Sequence, residues 1–284
     1  TPFMAPCFGT IARIARGNGH TKVLCQIDNV EPHEHHLTDK PFNRYYLHSV
    51  DGFVYMSEQV HSELRAYSDA PALFSPHPLF ENFGERVERS EACVRLGLDP
   101  ANRYVLFFGL IRDYKGLDLL LDAWAQLRRA GRTEGRRLIV AGEFYTAREP
   151  YLNRIADNGL QDEVLLHDRF IPDDDVKYYF SAADFVVQPY KTATQSGVTQ
   201  IAYQFCVPMV VTKVGGLAEI VPDGRVGYVC EPTPEGVAGA IERMYEGDTL
   251  QRFRENCVEE RRRFSWEEMC SRITELYGLV ASGK

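Results

Sequence analysis

The sequence predicts an α/β fold built on parallel sheets that helices cover on both faces, and three observations favour this class. Short apolar runs alternate with helical patterns six times over roughly 180 residues, which is typical of consecutive βαβ units. The run Phe185–Val187 is apolar without interruption, as in strands buried on both faces. Glycine and charged residues follow the strands, where an open α/β sheet places its ligand.

The first 80 residues predict a smaller part of the same kind. Lys22–Ile27 and Asp51–Ser57 have strand character. Ser57 is a suitable N-cap for a helix over residues 58–65, because its hydroxyl can accept a hydrogen bond from a free backbone N–H. This part is too short for a complete domain, so we expect half of a sheet. The polar stretch 81–90 has no periodicity and predicts a linker.

Six strand–helix pairs follow the linker in a regular order. They are 104–108 with 117–130, 137–141 with 150–158, 164–166 with 173–182, 184–188 with 197–205, 208–212 with 217–221, and 227–230 with 233–246. This is enough for a complete doubly wound domain. A last amphipathic helix over 264–277 carries Trp266, Met269, Ile273 and Tyr277 on one face, which we expect to dock on another element.

Composition limits the classes of function. A net charge of −8 disfavours bulk binding to nucleic acid, which depends on neutralisation of phosphates by Lys and Arg. Seven cysteines without a C-x-x-C pair disfavour disulfide and zinc frameworks and indicate a reducing cytoplasm. No apolar run reaches the roughly 18 residues of a membrane span, and no signal peptide opens the chain. Arginines cluster over 128–137 and 261–263, either as solvated helix ends or as a contact with an anionic membrane surface.

Candidate anion-binding groups follow several strands. Gly109, Arg112 and Lys115 come after the first strand of the larger domain. Two later loops start helices with glycines, at Ser196–Val198 and Gly215–Gly216, and would expose backbone N–H groups with a helix dipole behind them. Arg112 can bind a phosphate bidentately, while Lys115 acts as a point charge. Because the carboxyl ends of parallel strands share one edge of a sheet, the set predicts a diphosphate site.

Other site types match the sequence less well. It has no G-x-x-x-x-G-K-[ST] loop, no G-x-G-x-x-G after a strand and no G-x-S-x-G turn, which disfavours Walker nucleotidases, dinucleotide dehydrogenases and α/β-hydrolases. The run His33–His36 includes possible metal ligands, but adjacent residues cannot all face one ion and no second cluster completes the set. A loop with one functional histidine and a plain solvated loop both remain open, and we assign no metal.

Four segments carry a resemblance to a known family. The loop Gly109–Gly116, the stretches Ser181–Asp184 and Val214–Val221, and the closing Phe264–Trp266 resemble the retaining glycosyltransferases of family 4, also called glycosyl transferases group 1. The resemblance is strong over residues 100–280 and fainter over 20–80. It implies the GT-B fold: two Rossmann-like domains facing across a cleft. The N-terminal domain would bind the acceptor and the C-terminal domain a nucleotide sugar, with no metal or cofactor.

The resemblance also implies domain boundaries and roles for residues. It places an incomplete acceptor domain at 1–82, the donor domain at 83–263, and a helix at 264–284 that crosses back to the first domain. Arg112 and Lys115 match the pair that neutralises the donor diphosphate, and His33 resembles an acceptor-side histidine near the transferred sugar. The donor-binding set is Gly109, Glu143, Phe170, Ile171, Gln195, Ser196, Gly197, Val198, Gln200, Gly215, Gly216 and Glu219. Glu143, Phe170 and Ile171 would border the nucleobase.

The chain departs from the family pattern in two respects. Family members usually carry two glutamates, one for hydroxyls of the transferred sugar and one for the ribose; the matching positions here are Ala193 and Ile201. The turn between them offers Gln195 and Gln200 as uncharged partners for hydroxyls. The N-terminal strand and glycine-rich loop of the family are also missing, so we expect roughly 80 to 100 further residues before Thr1.

The leading functional expectation is transfer of a hexose-like sugar from a nucleoside diphosphate to a glycan, a lipid-linked acceptor or a polysaccharide, with retention of configuration. It would act in the cytoplasm, with contact at the inner face of the membrane left open. The alternative is a catalytically weakened relative that binds a nucleotide or glycan or supports a partner enzyme, which the missing glutamates favour. An epimerase or phosphorylase fits less well, because we find neither acid/base carboxylates beside the sugar nor a cofactor lysine.

Overall fold

The computed structural model describes residues 4–30 and 38–283, and the chain forms two compact units. Unit 1 comprises Thr1–Pro78 with Arg263–Lys284, and unit 2 comprises Leu79–Arg262. The division therefore falls after Pro78 rather than after residue 82, because a 3-10 turn at Glu81–Phe83 packs on unit 2. No helix among the described residues is long and apolar enough to span a bilayer.

Unit 1 contains a three-stranded parallel sheet in the order β1-β2-β3. Its elements up to Pro78 are α1 (Ala5–Arg16), β1 (Leu24–Ile27), α2 (Asp39–Leu47), β2 (Gly52–Tyr55), α3 (Glu58–Arg65) and β3 (Ala72–Phe74). Ser57 caps α3, its hydroxyl accepting from the Val60 N–H at 3.3 Å, as the sequence predicts. The sequence prediction missed α1, since its buried face consists of small residues, Ala5, Gly9 and Ala12, while its large apolar side chains are exposed.

Unit 2 contains a six-stranded parallel sheet in the order β6-β5-β4-β7-β8-β9. Its elements are α4 (Arg89–Leu96), β4 (Arg103–Phe108), α5 (Leu117–Arg129), β5 (Arg136–Ala141), α6 (Glu149–Asp157), β6 (Val164–His167), α7 (Asp173–Ala182), β7 (Phe185–Gln188), α8 (Gly197–Gln204), β8 (Met209–Thr212), α9 (Leu217–Ile220), β9 (Gly227–Cys230), α10 (Pro234–Met244) and α11 (Thr249–Glu260). The parallel strands and alternating helices confirm the predicted α/β class.

The sequence analysis did not predict two helices of unit 2, α4 and α11. Helix α4 lies partly in the segment predicted as a linker and buries little apolar surface, chiefly Ala92 and Cys93. Helix α11 buries only Thr249, Phe253 and Cys257, a single row four residues apart in an otherwise charged sequence. Such narrow apolar faces produce little periodicity in the sequence, although they are sufficient to dock a helix in the fold.

Helix α12 (Trp266–Ser282) packs on the sheet of unit 1, but not with the predicted face. Met269 and Leu276 are buried against Val54 and Met56 of the β2 region, with Val280 alongside. Of the predicted face, only Met269 is buried; the other three residues, Trp266, Ile273 and Tyr277, are 38–54% exposed.

The reason for this difference lies at Gly52 in β2. A Cβ at Gly52 would lie 2.9 Å from Cγ2 of Val280 and 3.0 Å from Cδ1 of Leu276. The missing side chain therefore allows the Leu276 and Val280 side of α12 to approach the strand closely. The helix is rotated toward this contact, and the neighbouring stripe with Trp266 faces outward.

The loops after β4 and β7 touch at Gly116. Its φ is 68°, in the left-handed region that favours glycine, and an added Cβ would overlap the carbonyl oxygen of Pro189. The backbone N–H of Lys191 also donates to the carbonyl of Tyr114 at 2.7 Å. Together these contacts hold the end of the β4 loop against the end of β7.

We expect Gly116→Ala to destabilise unit 2 far more than Gly131→Ala. Both glycines have a φ near 70°, but an added Cβ at Gly131 meets no atom within 4 Å. The left-handed backbone alone should lower the free energy of unfolding by about 1 kcal/mol in Gly131→Ala, and the overlap with Pro189 should raise the loss to about 3 kcal/mol or more in Gly116→Ala. Urea denaturation measures both, and equal losses would contradict the close approach.

Candidate functional site

A cavity of about 310 Å³ lies where the strand order of unit 2 reverses, at the carboxyl ends of β4 and β7. From β4, the strands β5 and β6 follow toward one edge of the sheet, whereas β7, β8 and β9 follow toward the other edge. The loops after β4 and β7 therefore flank a crevice. Such a crevice is the usual ligand site of an open α/β sheet. Its walls include Gly109, Lys115 and Ser196–Val198, which the sequence predicts to meet.

Lys115 is a half-buried cation in this cavity, and no carboxylate of the described residues forms an ion pair with it. Its ammonium lies 5.7 Å from the centre of the Tyr190 ring. Burial, followed by the nearby charge of Arg112, lowers the pKa of Lys115 from 10.5 to about 8. A desolvated cation without a counterion is suited to an anionic ligand.

Arg112 lies on the same loop but is exposed. Its guanidinium carbon is 5.3 Å from the centre of the Tyr145 ring, and the described residues offer it no carboxylate partner. The loop is held in place by Asp113, whose Oδ1 accepts from Thr146 at 2.9 Å and from Tyr151 at 3.0 Å. The structure thus places Arg112 next to the cavity wall rather than in it, on a loop tied to the end of β5.

The start of α8 faces the same cavity. Ser196 is the N-cap but its side chain makes no capping bond, and the N–H groups of Gly197 and Val198 have no acceptor inside the helix. Gly197 and Val198 both line the cavity, so these donors and the positive end of the helix dipole lie on the wall shared with Lys115. This helix start matches the sequence prediction.

Tyr190 links the two parts of the site, and the sequence analysis did not assign it a role. It is 3% exposed, its hydroxyl is 3.1 Å from Oγ of Ser196, and its ring lies beside Lys115. Burial raises the pKa of the Tyr190 phenol, so the hydroxyl stays protonated. Its position two residues after β7, at the point where the strand order reverses, is the signal that could have identified it.

The two predicted glutamines are placed differently. Gln195 lines the cavity, and its Nε2 is buried without a hydrogen-bond partner in the described structure. Gln200 is 1% exposed and lines neither of the two cavities. One helical turn separates the Ser196 end of α8 from Gln200, which faces the protein interior.

The second predicted helix start is not available as an anion site. The N–H of Gly216 donates to the carbonyl of Thr194 at 3.1 Å, and α9 is only four residues long. Gly215 and Glu219 are at least partly exposed and, like Gly216, do not line the cavity. The N–H of Gly216 thus holds the Thr194 turn, and the donor-binding role of Gly215, Gly216 and Glu219 stays a prediction.

A second cavity of about 170 Å³ adjoins the first one. It brings together Glu143, Phe170 and Ile171, which the resemblance assigns to the nucleobase, and it shares Phe108 and Gly109 with the first cavity. Phe170 is 64% exposed, so its ring is accessible to a ligand. The two cavities form a continuous lining from Glu143 past Gly109 to Lys115.

The two positions at which the family usually has glutamates, Ala193 and Ile201, are buried as well as apolar. Ala193 and Ile201 are each 7% exposed, and Ile201 forms part of the first cavity wall. None of the described residues that line this cavity carries a carboxylate. Within that part of the chain, nothing in the cavity neutralises Lys115.

His33 lies outside the described residues, so its acceptor-side role stays a prediction. Within residues 4–30 and 38–283, no three His, Cys, Asp or Glu side chains are grouped so that they could hold a metal ion.

The parallel strands and their order, with a reversal at β4 and β7, define a Rossmann-like unit. The family model of Glycosyl transferases group 1 matches residues 102–247, slightly more than half of the chain. The chain therefore belongs to the glycosyl transferases group 1 family, which confirms the predicted family.

Named relatives agree with this assignment. D-inositol 3-phosphate glycosyltransferase 2 of Catenulispora acidiphila is 31% identical over 245 residues, which are 81% of this chain and 56% of that protein. D-inositol 3-phosphate glycosyltransferase of Pseudarthrobacter chlorophenolicus is 31% identical over 144 residues, 50% of this chain and 34% of the relative. The chain thus spans about half the length, or less, of these curated relatives.

Solved structures confirm the predicted GT-B fold. Sucrose-phosphate synthase (tll1590) from Thermosynechococcus elongatus has a TM-score of 0.76 at 20% identity, covering 97% of this chain and 72% of that one. Anabaena Alr3699/HepE in complex with UDP has a TM-score of 0.78 at 18% identity, covering 96% of this chain and 76% of that one. At these identities the likeness establishes the fold alone.

We expect Lys115→Met to stabilise the protein at neutral pH. In the folded protein the pKa of this lysine is about 8, below the usual 10.5. Burial of the charged lysine therefore lowers stability fully below pH 8, and this loss of stability disappears as the pH rises from 8 to 10.5. Removing the charge should raise the free energy of unfolding at pH 7 by on the order of 1–3 kcal/mol, discounted for partial exposure.

The control is Lys191→Met. The ammonium of Lys191 is paired with Asp118 at 2.7 Å, so removal of this lysine should not stabilise the protein. Urea unfolding at pH 7 and pH 10.5 makes the comparison. A gain for Lys115→Met that is the same at both pH values would contradict burial of the charge as its cause.

Proposed function

We propose that this chain carries the donor-binding part of a retaining glycosyltransferase, which moves a sugar from a nucleoside diphosphate to a hydroxyl of a glycan or lipid-linked acceptor. One observation carries the proposal. Lys115 is a half-buried cation with no carboxylate partner among the described residues, and it lines the same cavity as the start of α8. Fixed donors and a desolvated cation at one point are the features that bind a diphosphate.

The two adjoining cavities support a layout for the donor. The diphosphate would lie between Lys115 and the N–H groups of Gly197 and Val198. Gly109 leaves room there, because a Cβ at that position would be 3.1 Å from the Lys115 ammonium. The nucleoside would extend into the second cavity, where the ring of Phe170 can pack on the base and Glu143 can accept hydrogen bonds.

The same groups could assist departure of the nucleotide. Breaking the bond between sugar and phosphate increases the negative charge on the diphosphate, and positive groups already in place stabilise that charge. Lys115 and α8 would act from the cavity, and Arg112 from its edge. These groups would supply the charge that a metal ion supplies in other transferases, so the proposal requires no metal or cofactor.

Retention of configuration is part of the proposal, and the same arrangement is compatible with it. The described residues that line the first cavity offer no carboxylate as a covalent nucleophile. A front-face reaction would then operate, in which an oxygen of the leaving phosphate accepts the proton of the acceptor hydroxyl while that hydroxyl attacks the anomeric carbon. The sugar and the proton change places on one face, and the configuration is kept.

The relatives suggest which ligands to try first. The matched structures include Anabaena Alr3699/HepE with UDP and glucose, so a uridine nucleotide is the first donor to test. The curated relatives are named for D-inositol 3-phosphate, which belongs in the acceptor panel beside glycan and lipid-linked acceptors. A cytoplasmic location with peripheral membrane contact stays part of the proposal. Arg128 and Arg132 of the first basic cluster form ion pairs with carboxylates, which reduces the charge that they could offer to an anionic membrane.

The apolar residues at the glutamate positions favour one second candidate, a nucleotide-binding relative with weakened catalysis. Ala193 and Ile201 supply no hydrogen bond to a sugar, while Lys115 and α8 can still hold a diphosphate. Both candidates bind nucleotides, but only the transferase consumes the donor. Turnover of the donor therefore separates them.

The decisive experiment combines binding with turnover in the full-length protein. Calorimetry with UDP, GDP, ADP and dTDP should show one site, and Lys115→Ala and Arg112→Ala should each weaken the best nucleotide about tenfold or more, as loss of a charge-assisted contact does. Lys191→Gln is the matched control, because Lys191 already pairs with Asp118. NMR of a nucleotide-sugar panel should show donor loss and an α- or β-product of unchanged configuration.

Each outcome of this experiment has a distinct meaning. Binding with no turnover of any donor would select the nucleotide-binding relative. Nucleotide affinities equal to wild type in both alanine variants would overturn the site itself. Equal weakening by Lys191→Gln would show that the total charge of the surface, rather than Lys115, is responsible.

We also expect the affinity for a nucleoside diphosphate to fall as pH rises through the pKa of Lys115. In the free protein that pKa is about 8, so at pH 9 only about a tenth of the molecules carry the charge and the affinity should drop by up to about tenfold from pH 7. Lys115→Ala should show no such drop. Arg112→Ala should shift it to higher pH, because Arg112 helps to lower the pKa of Lys115. An identical drop in wild type and Lys115→Ala would contradict this assignment.

A further inference from the structure

A separate cavity lies at the opposite, amino-terminal edge of the unit 2 sheet. We call it the amino-edge cavity; its volume is about 250 Å³, and its walls include Arg103, Tyr245, Gln251 and Arg254. Arg103 is the first residue of β4, whose other end reaches the proposed donor site. The two cavities therefore lie at opposite ends of the same strand, and ligands could occupy both at once.

Arginines outnumber carboxylates around Asp184, which lines the amino-edge cavity. The fully buried carboxylate of Asp184 is surrounded by three guanidinium groups, those of Arg89 at 3.0 Å, Arg103 at 3.3 Å and Arg254 at 3.9 Å. Its other oxygen accepts the backbone N–H of Tyr104 at 2.9 Å. One carboxylate neutralises one of three cations, so a net positive charge remains beside the cavity.

The start of α11 adds to this positive potential. The helix is 12 residues long, its N-cap Asp248 makes no capping bond, and its first turn contains no acidic residue. The N–H groups of Leu250 and Gln251 have no acceptor among the described residues, and both residues line the cavity. The carboxylate of Asp248 also lines it, but this side chain is 80% exposed and pairs with Arg252 at 3.3 Å.

Two donors that are buried without a partner among the described residues belong to residues that line the cavity. They are the hydroxyl of Tyr245 and Nε of Arg254. Arg254 is held in place by Nη2, which donates to the carbonyls of Ala183 and Asp184 at 3.2 Å each. Native proteins leave few buried donors unpaired, and a bound ion can satisfy those that lack a partner within the protein.

We propose that the amino-edge cavity is a binding site for a small oxyanion, the phosphate group of either inorganic phosphate or a phosphomonoester. Arg103 and Arg254 would provide charge-assisted hydrogen bonds, the N–H groups at the start of α11 would receive the remaining oxygens, and Tyr245 would donate its hydroxyl. The site does not depend on the proposed donor site, because it uses none of the same residues.

The test uses phosphate binding in a protein whose donor site has been weakened. Calorimetry or ³¹P NMR at constant ionic strength follows inorganic phosphate and glycerol 3-phosphate in wild type and in Lys115→Ala. The proposal requires that Lys115→Ala still binds one phosphate per chain with a Kd of about 1 mM or tighter. Lack of binding to Lys115→Ala at about 10 mM phosphate would overturn it.

Three further variants locate the bound anion. Tyr245→Phe keeps the ring under Arg136, whose guanidinium lies 4.0 Å from the ring centre, and removes only the unpaired hydroxyl. Tyr245→Phe and Arg103→Gln should each weaken phosphate about fivefold or more, while the melting temperature of Tyr245→Phe without phosphate should not fall. Arg129→Gln is the control, since it removes an exposed positive charge from α5.

The remaining outcomes decide between a built site and general charge. If Arg129→Gln weakens phosphate as much as Arg103→Gln, the anion is adventitious and the proposal is wrong. If Tyr245→Phe leaves the affinity unchanged, the cavity does not hold the phosphate and the proposal is also wrong. If Tyr245→Phe weakens phosphate binding and Arg129→Gln does not weaken it as much as Arg103→Gln, the two ligands are compared. Tighter binding of glycerol 3-phosphate than of phosphate would identify a phosphomonoester as the ligand, and equal binding would identify the free anion.

Discussion

The pairing of β4 with β7 is the constraint on which the site depends. β4 and β7 are far apart in sequence but are neighbours in the sheet. They pair in parallel, with Val105 opposite Phe185 and Leu106 opposite Val186. Because both strands end at the same edge, the loop with Lys115 and the start of α8 are brought to one cavity. Gly116 allows the final approach, as only a residue without a side chain can lie against the Pro189 carbonyl.

The same two strands organise charge at both of their ends. At the carboxyl edge, Lys115 is desolvated and no carboxylate in the described part of the chain pairs with it, an arrangement that costs stability and is expected at a ligand site rather than in a structural core. At the amino edge, Asp184 is buried and shared by three arginines. Both edges combine positive side chains with a helix start, although only the carboxyl edge has the strand-order reversal that typifies nucleotide sites.

Much of this site could be predicted from the sequence. Lys115, Gly109 and Ser196–Val198 come together as expected, because residues that follow parallel strands must share an edge. Gly216 could not be placed in the same way, since its N–H is used by Thr194, a hydrogen bond between two loops that no local pattern reveals.

The other differences have the same origin. Gln200 belongs to a stretch rich in polar residues, but it lies in α8, whose geometry directs it inward. The docked face of α12 was missed because two apolar stripes lie side by side in its sequence, and the choice between them is made by Gly52 on a distant strand. Local periodicity predicts that a helix docks; a contact between distant residues decides which face docks.

The missing glutamates change the balance of interactions within the proposed donor site. A carboxylate at Ile201 would lie in the same cavity as Lys115 and would offset part of its attraction for a diphosphate. With Ile201 and Ala193 in place, the charge of Lys115 is fully available to the diphosphate, while a sugar hydroxyl finds only neutral partners such as Gln195. Binding energy would therefore be concentrated on the leaving nucleotide, the part of the donor whose charge increases in the transition state. In the proposed site, the apolar residues would therefore be compatible with catalysis, and their main consequence would fall on recognition of the sugar.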